Sequence, residues 1–351
     1  MKLGDIARES RETYKGNKTD IPIVGLEHLI SGELRFNDYE VNTDNTFTKV
    51  FHKGQILFGR RRAYLKKAAV AEFDGICSGD ITVIEAIPGK VDARLLPFII
   101  QNDRLFAFAV SRSAGGLSPR VKWEHLADYE FELPSIEEQR VLADKLWAAY
   151  ELKEAYKKMI AATDEMVKSQ FIEMFGDVIK NSNDWREYGP IGNYADIVLG
   201  STPDSKNPKY WDGDICWVTP AELNDDVVVI NDTVRHITND GVSAANLTKL
   251  PKGSILFSTR APIGKVAITG VEMYCNQGFK NFICGDKLNN LYLYYTLKLN
   301  RDYLCALGTG TTFKELSKKV VESISIAIPP IEMQNKFEDV FKHADKSKFV
   351  D

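Results

Sequence analysis

The longest unbroken pattern of apolar and polar positions occupies residues 133–176. It opens Leu133-Pro134-Ser135-Ile136-Glu137-Glu138-Gln139. Ser135 with Glu138 three positions later is a capping-box signature, in which each side chain satisfies an otherwise orphaned amide of the first helical turn. From Arg140 to Phe175 there is no Gly or Pro, and Ala, Leu, Lys, Glu and Met are plentiful, the composition of a strong helix former. Phe175-Gly176-Asp177 supplies a stop. The pattern predicts one helix of roughly 40 residues, about 60 Å long. Steps of four and three then place Leu142, Leu146, Ala149, Lys153, Tyr156, Ile160, Thr163, Val167, Gln170 and Met174 on one seam, broken at Lys153, Thr163 and Gln170. A lone amphipathic helix is unstable in water, so this one pairs with a second helix or serves as a linker packed on its own domains.

Elsewhere the apolar runs are short. Strand-like segments at 55–58, 68–71 and 81–85, separated by Gly and charged turns, are answered by segments at 254–257, 265–268 and 281–284. Residues 93–108 and 288–304 read as helices after Asp92 and Asp286. The recurrence is visible residue by residue. Lys53-Gly54-Gln55-Ile56-Leu57-Phe58 returns as Lys252-Gly253-Ser254-Ile255-Leu256-Phe257, and the opening at Leu133 returns as Ile328-Pro329-Pro330-Ile331-Glu332-Met333-Gln334. Gly115-Gly116-Leu117 maps onto Gly310-Thr311-Thr312, and Val121 and Leu126 onto Leu316 and Val321. A period of roughly 195 residues is too long for a solenoid and means two copies of one α+β module, each followed by a helix.

The implied boundaries are 1–132 for the first globular domain, 133–177 for a central spacer helix, 178–327 for the second globular domain and 328–351 for a C-terminal spacer helix. That last helix has about 21 residues from Ile331 and no stop signal, so it is short or truncated. A stripe of Met333, Phe337 and Phe341 is expected against the first helix. Upstream of the Lys-Gly anchor the second copy is about 11 residues longer, and it carries Gly200-Ser201-Thr202-Pro203-Asp204, Tyr210-Trp211-Asp212-Gly213 and Cys216-Trp217-Val218-Thr219-Pro220. One frame with different loops is what duplicated recognition modules with different targets look like, although drift gives the same picture.

Composition narrows the class. Hydrophobic residues make up 44% and charged residues 27%, as in ordinary globular proteins. No apolar run is long enough to span a membrane and no signal peptide opens the chain, so a cytoplasmic protein is expected. Cys77, Cys216, Cys275, Cys284 and Cys305 form no CxxC pair, and His28, His52, His125, His236 and His343 have no ligand spacing. Neither a disulfide framework nor a metal site is expected. No dinucleotide or Walker glycine loop, GxSxG elbow or methyltransferase (N/D)PP(Y/F) loop is present, which argues against an enzyme. Glu151-Leu152-Lys153 resembles a nuclease triplet but, inside a helix, reads as an exposed charge pair. A net charge of −4 argues against gripping nucleic acid by bulk electrostatics and leaves room for local basic sites.

The densest such site is Arg60-Arg61-Arg62-Ala63-Tyr64-Leu65-Lys66-Lys67. Arg60, Arg61, Arg62, Lys66 and Lys67 suit phosphate and guanine contacts, and Tyr64 offers an aromatic surface. Taken alone, such a charge run is as readily a solvated face. The second copy answers it with Thr259, Arg260 and Lys265. Further candidates are Arg112, Ser113 and Lys122 in the first copy, and Lys206, Lys209, Tyr210, Asn276, Gln277, Lys280, Thr311, Thr312 and Lys314 in the second.

The order globular module, long helix, globular module, second helix, with the paired Lys-Gly anchors, the paired helix openings, the Gly200-Ser201-Thr202-Pro203 and Tyr210-Trp211-Asp212-Gly213 elements and the helix end Phe171-Ile172-Glu173-Met174-Phe175-Gly176, resembles the specificity subunits of type I restriction-modification systems over essentially the whole chain. The resemblance implies a non-catalytic DNA-reading subunit. Each globular part would be a target recognition domain for half of a bipartite double-stranded DNA site, and the helices would pack as an antiparallel coiled coil that spaces them. Two methyltransferase subunits would dock on the helices, with Lys153, Thr163 and Gln170 as places to look for a neighbour, and two restriction motor-nuclease subunits could join. S-adenosylmethionine, ATP and Mg would then sit on partner subunits and none on this chain. The rivals are a stand-alone methyltransferase or nuclease, and a two-domain coiled-coil scaffold that binds protein partners only.

Overall fold

Both halves of the chain are built outward from a Lys-Gly turn. Gly54 and Gly253 take φ of +90° and +89°, a region that favours glycine, and each turn delivers the chain into a fully buried strand. This is the physical content of the repeated Lys-Gly-x-Ile-Leu-Phe string. The computed structural model describes residues 1–225, 227–260, 262–309 and 314–344, and these fall into two units, Met1–Tyr156 and Lys157–Asp351.

The first unit comprises β1 (Ala7–Glu9), β2 (Ile23–Val24), β3 (Arg35–Phe36), β4 (Lys49–Phe51), β5 (Ile56–Gly59), β6 (Ala68–Ala71), β7 (Gly75–Cys77), β8 (Ile81–Ala86), α1 (Leu96–Ile100), α2 (Asp103–Ser111), α3 (Trp123–Ala127) and the start of α4 (Ile136–Phe175). The second contains the rest of α4, then β9 (Tyr188–Pro190), β10 (Ala195–Leu199), β11 (Trp211–Val218), β12 (Val229–Ile230), β13 (His236–Ile237), α5 (Asn239–Ala244), β14 (Ile255–Phe257), β15 (Val266–Thr269), β16 (Tyr274–Cys275), β17 (Lys280–Cys284), α6 (Asn290–Leu299), α7 (Arg301–Ala306), α8 (Lys318–Ser323), β18 (Ser325–Ala327) and α9 (Ile331–Ala344).

The main sheets match strand for strand. One has the order β1-β8-β5-β6-β3 and the other β10-β17-β14-β15-β12. In each the last strand pairs parallel and the rest antiparallel. The six strands expected from sequence are present within a residue or two. The expected helices at 93–108 and 288–304 are each broken in two. Asn102 accepts the Arg104 amide at 2.9 Å and so caps a new helix, and Asn300 separates α6 from α7. Val121, Leu126, Leu316 and Val321, matched by the repeat, are all buried.

The helix openings explain their own motif. Ser135 and Glu138 exchange the expected capping bonds, Ser135 N–H donating to Glu138 Oε2 at 2.9 Å and Glu138 N–H to Ser135 Oγ at 3.4 Å. The repeated Gln is a buried hook. Gln139 accepts the Asp92 amide at 3.0 Å and donates to Pro134 O at 2.8 Å, while Gln334 accepts the Asn289 amide at 2.8 Å and donates to Pro329 O and Lys287 O at 2.7 and 3.0 Å. Replacing Gln139 by Ala strands a buried amide and a carbonyl, and an unfolding titration should show the first unit losing about 1–3 kcal/mol.

α4 ends where expected, at Phe175, with Gly176 at φ +70°. Its seam is shifted from the expected one. The buried positions are Gln139, Ala143 and Tyr150 on the first unit and Val167, Phe171 and Phe175 on the second; Ala143, Tyr150, Phe171 and Phe175 lie one residue after the stripe positions Leu142, Ala149, Gln170 and Met174, and only Val167 is a stripe residue. Tyr156 and Ile160 are exposed. A seam at heptad spacing presumes a partner helix along its full length. Here the helix instead packs its aromatic residues into the cores of its own units. Trp147 lies edge-on to Phe98 at 5.2 Å and donates to Arg94 O at 2.8 Å. Pairing with α9 is, among the described residues, confined to the last turns of α4. There Phe337 meets Phe171 and Phe175 at 5.2 and 5.8 Å, and Phe341 rests on Tyr295 at 5.7 Å. Met333 is partly buried against the same core.

Candidate nucleic-acid interface

In the first unit the turn after β5 is held open by its backbone. Arg62 and Lys66 both sit in the left-handed region, at φ 54° and 51°, which costs energy for non-glycine residues and is more common at functional loops. The turn is strapped to a second one. Arg62 N–H donates to Pro119 O at 2.8 Å and Val121 N–H to Arg60 O at 3.0 Å, so a hairpin closed by Ala114 and Arg120 stands beside the basic run. Asp80 clamps the two together. It accepts Arg120 Nε at 2.6 Å and Arg61 Nη1 at 3.3 Å, and these guanidiniums, Arg120 first, hold its carboxyl below the usual carboxylate range.

The expected residues therefore divide. Arg61 is half-buried, also donates to Ser118 Oγ at 3.1 Å, and positions the loop. Lys67 points inward to Leu26 O at 2.6 Å. Arg62 and Tyr64 are exposed, while half-buried Arg60 carries an Nε buried with no partner among the described residues. Lys66 is exposed but paired with Asp103 at 2.6 Å. Arg112 stacks over Phe108 at 5.3 Å, Ser113 Oγ donates to Ala109 O at 2.8 Å at the end of α2, and exposed Lys122 precedes α3. Two residues were missed. Arg120 completes the arginine cluster, and Leu117 at the hairpin tip is 98% exposed, placed as apolar wedges are in proteins that enter DNA grooves. Arg120 was open to detection as the one cation between Gly115-Gly116 and the buried Val121.

The second unit repeats the frame with its charges exchanged. Thr309 pairs with Glu315 as Ala114 does with Arg120, and Arg260 bridges to Glu315 as Arg61 does to Arg120. The acid is now on the bridged segment itself. Glu315 accepts Lys280 Nζ at 2.7 Å and Arg260 Nε at 3.1 Å, and chiefly through Lys280 its carboxyl is held below the ordinary range. Lys280 is only 5% exposed and also donates to the buried Thr259 Oγ1 at 3.1 Å, so both lie beneath Glu315 and do not face outward. Lys265 repeats the role of Lys67, donating to Pro220 O and Leu223 O at 3.2 and 2.7 Å. Of the candidate cations, Lys67, Lys265 and Lys280 thus turn into their own units. Backbone carbonyls within reach direct Lys67 and Lys265, and the Glu315 carboxylate directs Lys280.

The outward side of this unit carries Arg260, Lys314, Lys206 and Lys209. Gln277 accepts a bond from Thr202, Asn276 Oδ1 accepts the Gly278 amide at 2.9 Å, and Tyr210 packs against the Trp211, Trp217 and Ile237 cluster. Thr311 and Thr312 lie outside the described residues. Arg235, missed from sequence, stacks at 3.5 Å over Trp211.

The Glu315 pair makes a pH prediction. A carboxyl depressed in the folded state contributes stability above its unfolded pKa of about 4.3 and loses it as pH falls through the lower folded value. The second unit's Tm should fall as pH drops through that window, and Glu315→Gln should flatten that part of the profile while lowering Tm at neutral pH.

Among the described residues no helix is long and apolar enough to cross a membrane, and all five cysteines are free. A family model described as "Type I restriction modification DNA specificity domain" matches residues 1–161 and 183–349. The chain is 38% identical over 172 residues to the type I restriction enzyme MjaIX specificity subunit of Methanocaldococcus jannaschii, covering 48% of this chain and 40% of that one. It is 22% identical over 320 residues to the putative MjaX specificity subunit of the same organism, covering 83% and 72%. It is also 25% identical over 163 residues to the HindI specificity subunit of Haemophilus influenzae, covering 44% and 35%. The chain thus spans under half the length of two of these relatives. The fold resembles that of the crystal structure of a type I S subunit from M. genitalium, with a TM-score of 0.63 at 11% identity over 99% of this chain and 89% of that one. A chain from a structure of type I system assembly gives 0.53 at 19% identity over 99% and 91%.

Proposed function

The chain belongs to the type I restriction-modification DNA specificity family, and we propose that it is the non-catalytic DNA-reading subunit of a cytoplasmic methyltransferase and endonuclease assembly. Each unit reads one half of a bipartite double-stranded site. The observation that carries this is the doubled loop face. A turn after the central strand and a bridged segment beside it are built twice on matching sheets, with Arg62 exposed in one and Arg260 and Lys314 in the other. Within each face the clamps on Asp80 and Glu315 fix the frame, so the neighbouring outward side chains are free to differ, which is what reading two different half-sites requires.

Partner subunits carry the chemistry in this reading. Two methyltransferase subunits supply S-adenosylmethionine, and two motor-nuclease subunits supply ATP and Mg2+. Each unit leaves apolar residues of α4 in solvent, Leu152 and Tyr156 in the first and Met159 and Ile160 in the second, and these are the proposed docking residues, replacing the seam positions Lys153, Thr163 and Gln170. Footprinting of the chain with its methyltransferase partner on genomic fragments is the test. Protection of two short segments separated by a fixed gap supports the reading. Protein binding without sequence-dependent protection would identify a protein-only scaffold instead.

A further inference from the structure

In the second unit β11 and β13 run antiparallel with Cys216 directly opposite His236, so the two side chains leave the same face of the ribbon. Asp232, four residues before His236, turns back onto them. His236 Nε2 lies 2.9 Å from Asp232 Oδ1 and 3.8 Å from Cys216 Sγ, and Cys216 Sγ lies 3.6 Å from that same carboxylate oxygen. A tetrahedral zinc ion with bonds of about 2.3 Å to sulfur and about 2.0 Å to nitrogen and oxygen separates its ligand atoms by roughly 3.3–3.6 Å. The three observed edges lie within a few tenths of an ångström of those distances. We propose that Cys216, Asp232 and His236 bind a divalent cation of the zinc class, with water in the fourth position.

The donor set selects the cation. A thiolate and an imidazole suit borderline-soft metals, whereas Mg2+ and Ca2+ take oxygen ligands. The ligands are also held before any ion arrives. Asp232 Oδ1 accepts the Thr233 amide at 2.8 Å, and buried Thr233 is fixed in turn, its Oγ1 accepting Trp217 N–H at 3.0 Å and donating to Arg235 O at 2.8 Å. Such outer contacts orient a ligating carboxylate. Cys216 and His236 are half-buried and Asp232 is exposed, so the group has a wall and an open side. The plain alternative is an Asp–His ion pair four residues apart with a thiol nearby; it accounts for the 2.9 Å edge but not for the thiol lying within 3.8 Å of both other ligand atoms.

Binding is proton-balanced. As the metal–sulfur bond forms the Cys216 thiol proton passes to solvent, and His236 coordinates through Nε2 as neutral imidazole with its ring proton on Nδ1. The position in the fold gives the ion a structural task. β11 is drawn out to 8 residues where β2 of the first unit has 2, and the metal would tie that extension to β13, on which the Arg235–Trp211 stack depends.

The test is Co2+ titration of the full chain after treatment with chelator. The expected result is one thiolate-to-cobalt charge-transfer band that saturates at one ion per chain, is displaced by Zn2+, and is lost in Cys216→Ser. Cys305→Ser, a half-buried thiol on α7, should keep it. Asp232→Asn should weaken Co2+ binding at least about tenfold, since changes outside the ligand shell already cost about 10–100-fold. Zn2+ should raise Tm by a few degrees in the native chain and less in Asp232→Asn. No band in the native chain, or a band that persists in Cys216→Ser, overturns the proposal. Should Cys216→Ser fail to fold by circular dichroism, the exposed Asp232 decides, and unchanged Co2+ affinity in Asp232→Asn overturns the three-ligand site.

Discussion

Phe337→Ala is expected to destabilise the second unit by about 3–5 kcal/mol, the cost of truncating a fully buried phenylalanine with partial collapse of the cavity. For a unit of this size that is a Tm loss on the order of 10 °C. Phe337 is fully buried and lies within 5.2 Å of the rings of Phe171 and Tyr295 and 5.8 Å of Phe175. Edge-to-face arrangements, as here, add to the area term. Because Phe171 shares the contact, Phe171→Ala and Phe337→Ala should couple in a double-mutant cycle by about 0.5–3 kcal/mol. Calorimetry of the full chain separates the units, and the transition of the first should not move. If truncation of Phe337 left both transitions in place, α9 would not be docked in solution, and the pairing of the repeated helices would fail with it.

The parts of this fold that were legible in the sequence are those where a local rule and a tertiary contact agree. The Lys-Gly strings marked two strands because Gly54 and Gly253 take positive φ and, one residue on, Ile56 to Phe58 and Ile255 to Phe257 are apolar at every position. Ser135 and Glu138 announced a helix start because their bonds close within one turn. The seam of α4 was misplaced by one residue because heptad counting presumes a helical partner throughout. Phe171 and Phe175 answer instead to Tyr292, Tyr295 and Phe337, which no pattern in the helix itself encodes. At the loop face, charge was legible and direction was not. Lys67, Lys265 and Lys280 look like DNA contacts in one dimension, yet each finds a carbonyl or carboxylate inside its unit. The Cys216, Asp232 and His236 group was invisible for a related reason. Its spacing follows no ligand motif, and only the antiparallel register of β11 and β13 brings Cys216 opposite His236.

Arg62→Ala is expected to weaken binding at one half-site by about 10–100-fold and leave the other unchanged, the loss of one bidentate arginine contact being worth about 1–3 kcal/mol. Arg62 is the informative arginine because it does least for the fold. It is exposed, and the one bond its side chain makes among the described residues, to Ser118 Oγ, is long at 3.4 Å. Arg61 and Arg120 are clamped on Asp80, so removing either should shift the first unit's stability together with its binding and blur the result. Salt dependence then separates two roles for the same side chain. If Arg62 meets a phosphate, Arg62→Ala lowers affinity alike for all sequences at that half-site and reduces the slope of log K against log salt by about 1. If it meets a guanine edge, the slope is nearly kept and discrimination relaxes at one base pair. Arg260→Ala should give the mirror result at the other half-site, tempered by its bond to Glu315 at 3.1 Å. Loss at both half-sites from either single substitution would mean that the two faces do not read DNA independently, contrary to what two separately clamped loop frames require.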